Sequence, residues 1–336
     1  VASRRGGWFN PDMARLLSFL LCWASLAMAA AGPPRPNIIL IMADDMGFSD
    51  IGCYGGEIQT PNLDRLAEYG LRYTQFYNTA RCCPTRASLM TGLYAHQAGM
   101  GAMTAPTSLR GYQGHLNRNC VTIAEVLKTA GYATFMSGKW HLTENKNKVA
   151  TGSKHNWPRQ RGFDRFFGTI AGAGSFYTPN TLTLDNQSIT EFPKDFYYTT
   201  AIGQYGAKFI RDHGTGDNDQ PFFLYVPFTA PHWPLHALEK DIKKYRGKYM
   251  KGWDKIREER HARQLKMGLV DQRWPISARH ERAPAWDTVD KAKRKEMDER
   301  MAIYAAMIDS MDQAIGTILK AVDDVSFDIY PNETVG

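Results

Sequence analysis

Two unbroken apolar runs, residues 36–43 (PNIILIMA) and 222–228 (FFLYVPF), constrain the fold of this chain more than any other feature. Neither alternates with polar residues, so each reads as a strand covered on both faces, the pattern of a parallel sheet with helices packed on its two sides. A third strand is expected over residues 132–137, after a helix that Thr122 and Glu125 open as a capping box and that ends before Gly131. All three run directly into polar residues: Asp44-Asp45, then Gly138-Lys139-Trp140-His141, then Pro231-His232. Open α/β sheets bind ligands beyond the carboxyl ends of their strands. The expected class is therefore α/β with a mostly parallel central sheet and one polar site at its carboxyl edge.

Cys82-Cys83-Pro84-Thr85-Arg86 supplies a fourth group of polar residues. Proline starts helices well because its missing N–H is not needed there, and Gly92 is a natural helix end. A thiol thus stands at the mouth of a short helix, with an arginine one turn on. The free amide donors and positive dipole end of such a helix suit an anion. Taken singly, the other residues have plainer readings. An Asp pair after a strand suits calcium or magnesium but also caps turns, and a loop Lys with a His two residues later is more often surface than catalyst.

The chain has 336 residues, of which 43% are hydrophobic, enough for one large domain with a sizeable core. Its formal net charge is +7, but acidic and basic residues are interleaved. The most basic stretch, residues 240–266, reads as a solvated helical surface in preference to a nucleic-acid site. Residues 13–31 combine a basic start, an apolar core over 16–26 and Ala27-Met28-Ala29 as a small-x-small cleavage site, the pattern of a secretory signal peptide too short for a comfortable membrane span. Residues 1–12 read as an upstream extension. Export removes Cys22 and leaves Cys53, Cys82, Cys83 and Cys120, which an oxidising compartment allows to pair as two disulfides.

Thr60 and Pro61 announce a helix that Gly70 closes, with Leu63, Leu66 and Ala67 inward. Alternation at Leu71, Tyr73, Gln75 and Tyr77 suggests a strand leading to Cys82. Residues 157–186 read as irregular, with aromatics that mostly enter the core. Met297, Met301, Tyr304, Ala305, Ile308, Met311, Ile315, Ile318 and Val322 recur at three- and four-residue steps, giving one amphipathic helix whose methionines are core filler. Asn186 and Asn332 begin glycosylation sequons.

Cys82-x-Pro84-x-Arg86, followed after four residues by Thr91-Gly92, resembles the signature of the type I sulfatases. Asp44-Asp45 with its glycine-rich continuation, the run Thr60-Pro61-Asn62-Leu63-Asp64-Arg65-Leu66-Ala67, Gly138-Lys139-Trp140-His141 and Pro231-His232-Trp233-Pro234 are similar to further motifs of that family. One small departure is Leu142-Thr143 where the family often has Leu-Gly. The resemblance implies an alkaline-phosphatase-like α/β/α sandwich and hydrolysis of sulfate esters. It also implies conversion of Cys82 to Cα-formylglycine by a separate formylglycine-generating enzyme, and one calcium ion. On the same resemblance Cys82 is the nucleophile and also touches the metal held by Asp44 and Asp45. Arg86 and Lys139 hold the hydrated aldehyde, His141 takes the proton that starts sulfate release, and His232 protonates the leaving oxygen.

The likeness runs from about residue 36 to 322, so the expected catalytic domain, 32–336, is incomplete at its carboxyl side. The family's later strand ending in Asp-Asn or Asp-His, and a further lysine, have no counterpart here. Two other readings stay open: a phosphonate or phosphodiester hydrolase of the same superfamily, and a sulfatase-like protein that binds its ligand without turnover.

Overall fold

The computed structural model of the chain describes residues 35–215 and 220–325. The upstream extension, the signal peptide with Cys22, and the sequon at Asn332 lie outside the described residues. The chain divides after Pro36, and every element below belongs to the second unit.

Both apolar runs form strands. β1 (Ile38–Asp44) pairs in parallel with β6 (Phe222–Pro231), Ile38 opposite Phe223 and Met42 opposite Pro227. β6 pairs on its other side with β2 (Ala133–Ser137), which pairs with β3 (Arg165–Thr169), again in parallel. β4 (Leu182–Leu184) and β5 (Gln187–Ser188) continue the sheet antiparallel, giving the order β1-β6-β2-β3-β4-β5. β6, flanked by β1 and β2, is buried at all ten positions. β1, at one end of this order, has its side chains only half-buried until Asp44. Its Ile39, Ile41 and Ala43 pack on one face of the sheet and Ile38, Leu40 and Met42 on the other, so the unbroken run is explained by cover on both faces.

The first face is covered by α4 (Tyr198–Gly214) and α7 (Lys291–Asp324), the second by α2 (Cys82–Thr91) and α3 (Ile123–Thr129). α3 has the anticipated reciprocal cap: Thr122 Oγ1 accepts from Glu125 N at 3.1 Å and Glu125 Oε2 from Thr122 N at 2.6 Å. α7 is the amphipathic helix read from its spacing, and it extends through 34 residues. Between them, α5 (Glu239–Ile242) and α6 (Trp253–Lys266) fold the basic stretch, with Ile256 and Gln264 turned inward. Among the described residues, no helix is long and apolar enough to cross a membrane.

Two expectations are corrected. Residues 71–77 form no strand: they are irregular and exposed, with Leu71 at 87% and Tyr77 at 83% accessibility, because no strand among the described residues meets their backbone and alternation alone cannot supply one. Residues 157–186 are not wholly irregular, since they contain β3 and β4. The strands were obscured by the glycine and aromatic content of the stretch, and Phe166 and Phe167 do pack in the core. The four cysteines Cys53, Cys82, Cys83 and Cys120 are free thiols, so the two-disulfide alternative is not what the fold contains.

The loop after β2 is held as tightly as a strand. Gly138 N donates to Phe167 O at 2.8 Å, Lys139 N to Pro227 O at 2.7 Å and Trp140 N to Thr169 O at 2.9 Å. Gly138 sits at φ 139°, where a Cβ would come within 2.1 Å of Pro227 O, so only glycine lets this loop lie between β3 and β6.

α1 (Pro61–Tyr69) is fastened from a distance. Buried Asp312 of α7 accepts from Leu63 N at 2.9 Å, Asn62 N at 3.1 Å and Asn62 Nδ2 at 2.8 Å, doing for the helix start what the Thr60 side chain does not. Asp312→Ala removes these acceptors and strands two amide donors, and is expected to cost about 2–4 kcal/mol. Asp312→Asn, which keeps one acceptor, should cost less; urea unfolding of the two variants checks both values.

Candidate active site

Three buried charges meet where β1 and β2 end. Asp44 closes β1, Lys139 lies in the strand-like loop after β2, and Arg86 stands one turn into α2. Asp44 Oδ2 accepts from Lys139 Nζ and, at 3.2 Å, from Arg86 Nη2, while Arg86 Nη1 donates to the Lys139 carbonyl at 2.8 Å. Burial by itself would raise the Asp44 carboxyl, but the two cations outweigh it and hold the group below its ordinary value. Burial, with Arg86 close by, pushes Lys139 below the ordinary lysine value despite Asp44.

Cys82 is the first residue of α2, half-buried, and Cys83 beside it is fully buried. Their sulfurs and a ring nitrogen of His141 lie within 4.8 Å of one another. The Cys82 thiol is driven far below its ordinary range: the hydrogen bond from Cys83 outweighs burial, and the His141 bond and the Lys139 charge act the same way. Cys83, which gives that hydrogen bond and is buried, is driven far above it. His141 is pushed down to about 4, first by burial and then by Lys139, although Cys82 opposes the shift, so its ring is neutral at neutral pH. The ring lies against Gly172, where a Cβ would come within 2.0 Å of Cε1, and His141 takes a left-handed φ of 57°.

Asp45 and His232 form the outer part of the site. Asp45, at φ 64°, is exposed, and its Oδ2 is 3.7 Å from His232 Nε2. His232 Nδ1 is 2.6 Å from the Trp233 carbonyl, which can only accept; Nδ1 therefore carries a proton and Nε2 is the atom left to take or give one. Every expected site residue thus reaches one sheet edge, but in two groups: Asp44, Asp45 and His232, and Cys82, Cys83 and His141, with Lys139 and Arg86 against Asp44. The first group fits a hard divalent cation in the kind of its donors, two carboxylates with an imidazole beside them, though a calcium ion takes roughly six to eight oxygens.

Three participants escaped the sequence reading. Cys83 occupies a variable place in the motif. Gly172 lay in a stretch read as irregular. Tyr304, read as one of the helix's core-facing residues, places Oη 3.2 Å from the Asp45 carbonyl and 2.8 Å from Asp50 Oδ2, and so braces the turn that carries Asp45. Of these only Tyr304 left a signal, as a polar-tipped residue in an apolar stripe.

In protein whose Cys82 is unconverted, the environment of the two reactive thiols sets their alkylation. The Cys82 rate with iodoacetamide is expected to be nearly flat between pH 8 and pH 6, whereas that of Cys53, whose thiol burial and Asp64 push upward, should fall by about tenfold per pH unit. Peptide mass spectrometry of timed samples reads both rates at once.

The model of the sulfatase family matches residues 36–329. An uncharacterised sulfatase of Schizosaccharomyces pombe is 34% identical over 310 residues, covering 85% of this chain and 54% of its own length. The arylsulfatase of Klebsiella aerogenes is 35% identical over 313 residues, covering 89% and 65%. The chain therefore spans between half and two thirds of these relatives. The crystal structure of the Bacteroides fragilis protein yidJ superposes with a TM-score of 0.64 at 22% identity over 88% of this chain and 60% of that one, a likeness of fold. A family match over nearly the whole described chain, with its motif residues gathered at one sheet edge, means that this chain belongs to the sulfatase family.

Proposed function

We propose that this chain is the catalytic part of an exported sulfuric ester hydrolase acting through a formylglycine at position 82. The observation that carries this reading is the convergence of Cys82, Lys139, Arg86 and His141 at the amino end of α2, where fixed positive charge faces the half-exposed Cys82 sulfur. A sulfate ester brings negative charge to that place, and preorganised cations are worth most where charge develops in a dry site. The Cys82 sulfur stands where the hydrated aldehyde's oxygens would be.

A serine hydroxyl attacking sulfur would leave another stable sulfate ester. A hydrated aldehyde avoids this, because one hydroxyl attacks and the second, once deprotonated, collapses to the carbonyl and expels sulfate. His141, neutral and within reach of position 82, is suited to take that proton. His232, with Nε2 toward the outer side of the site, gives a proton to the leaving alcohol oxygen. Lys139 and Arg86 hold position and compensate charge, and Asp44 keeps both cations in place. Asp44 and Asp45 would hold a calcium ion, which when bound supplies Lewis-acid stabilisation of the sulfate oxygens. Maturation calls for a formylglycine-generating enzyme as partner. Export rests on the signal-peptide pattern of residues 13–31.

The test is sulfate release from an aryl sulfate by protein coexpressed with a formylglycine-generating enzyme, beside turnover of an aryl phosphodiester by the same preparation. Sulfate turnover is expected to dominate; dominant phosphodiesterase activity would replace this reading. Cys82→Ala is expected to lower kcat by at least about 10³-fold, and His232→Ala by about 10²–10³-fold, more for alkyl than for activated aryl leaving groups.

A further inference from the structure

We propose that the chain whose Cys82 is still a thiol is a zinc-binding protein, holding the ion through Cys82 Sγ, Cys83 Sγ and a ring nitrogen of His141. These three atoms lie within 4.8 Å of one another. Ligands of a tetrahedral zinc ion, with sulfur at about 2.3 Å and nitrogen at about 2.0 Å from the metal, sit well inside that separation. His141 is 7% exposed, and its Nδ1 is buried without a hydrogen-bond partner among the described residues, a donor or acceptor left for something to use. Met103 Sδ stands 3.8 Å from Cys82 Sγ, which adds a third sulfur to the surroundings.

The donor chemistry separates this site from the carboxylate group beside it. Thiolates and imidazole favour zinc over calcium or magnesium, whereas Asp44 and Asp45 offer hard oxygens. Charge also balances, since two thiolates neutralise one divalent ion and a neutral imidazole adds none, so the ion with its three ligands carries no net charge. Binding displaces into solvent the proton that Cys83 holds, and no electron changes hands. Three ligands leave a fourth position open to water on the half-exposed side of Cys82.

The ion occupies the sulfur that maturation must consume. Conversion of Cys82 removes one of the two thiolates and dismantles the site, and zinc on Cys82 withholds that thiol from conversion. The site belongs to the precursor alone and does not depend on whether the matured chain turns over sulfate esters.

Cobalt(II) is the probe. Protein made without a formylglycine-generating enzyme, with its Cys82 thiol verified by peptide mass spectrometry, is reduced, stripped with a chelator and titrated anaerobically. One equivalent is expected to give a near-ultraviolet sulfur-to-cobalt charge-transfer band with strong visible bands of a tetrahedral ion, both abolished by zinc. The same protein with Cys82 converted is expected to lose the charge-transfer band, a comparison that needs no substitution. Cys83→Ser should weaken binding by at least about tenfold, since even changes outside the ligand shell cost that much; Cys53→Ser should leave it unchanged. The proposal is overturned if cobalt binds without a sulfur band, as it would on Asp44, Asp45 and His232, or if the band survives conversion of Cys82.

Discussion

The rest of the site depends on one buried carboxylate. Asp44 holds Lys139 and Arg86 on a single oxygen in a place almost closed to water. Charges in such surroundings persist only when paired, and removing one partner of a buried pair typically costs about 3–5 kcal/mol because the other is left uncompensated. The three side chains come from a strand end, the loop after another strand and a helix on one face of the sheet, so the cluster ties three elements at a single point. Its charges sum to one positive unit. An anion that enters meets cations already in place, with no rearrangement to make at that moment.

The same field sorts the neighbouring groups. Two adjacent cysteines share nearly the same position, yet one thiol is driven down and the other up, because Cys83 is sealed and gives its hydrogen to Cys82 while Cys82 faces His141 and Lys139. His141 is kept neutral by burial and by Lys139, which leaves a neutral imidazole beside Cys82 instead of a further cation. Environment, more than residue type, separates the roles here.

Much of this was legible in the chain. The runs at 36–43 and 222–228 could only be covered strands, and the polar residues following them had to gather at one edge, as Asp44, Lys139, His141 and His232 do. The capping box at Thr122 and Glu125, and the methionine-rich helix, follow from local spacing and are found as read. Residues 71–77 show why alternation alone makes no strand: the pattern becomes one only when another strand lies beside it, and pairing is a property of the tertiary fold. β3 and β4 were hidden for the opposite reason, since Gly168 and the aromatics around it are chosen by close approach to the loop at Gly138 and by core packing, not by strand preference. Gly172 is similarly explained only by the imidazole lying on it.

Asp44 and Asp45 are neighbours in the chain with opposite surroundings. Asp44 is sealed, its Oδ2 committed to Lys139 and Arg86, so its charge serves the protein's own cations first. Asp45 turns outward through a left-handed backbone conformation that a non-glycine residue adopts only at some cost. That conformation is held by the packing around it: Tyr304 of α7 reaches the Asp45 carbonyl and also Asp50, whose Oδ2 accepts from Gly47 N at 3.0 Å. A residue far along the chain thus fixes the direction of the carboxylate that remains open to a cation. The division follows from where β1 ends: its last residue still lies within the sheet's cover, and the next one has left it.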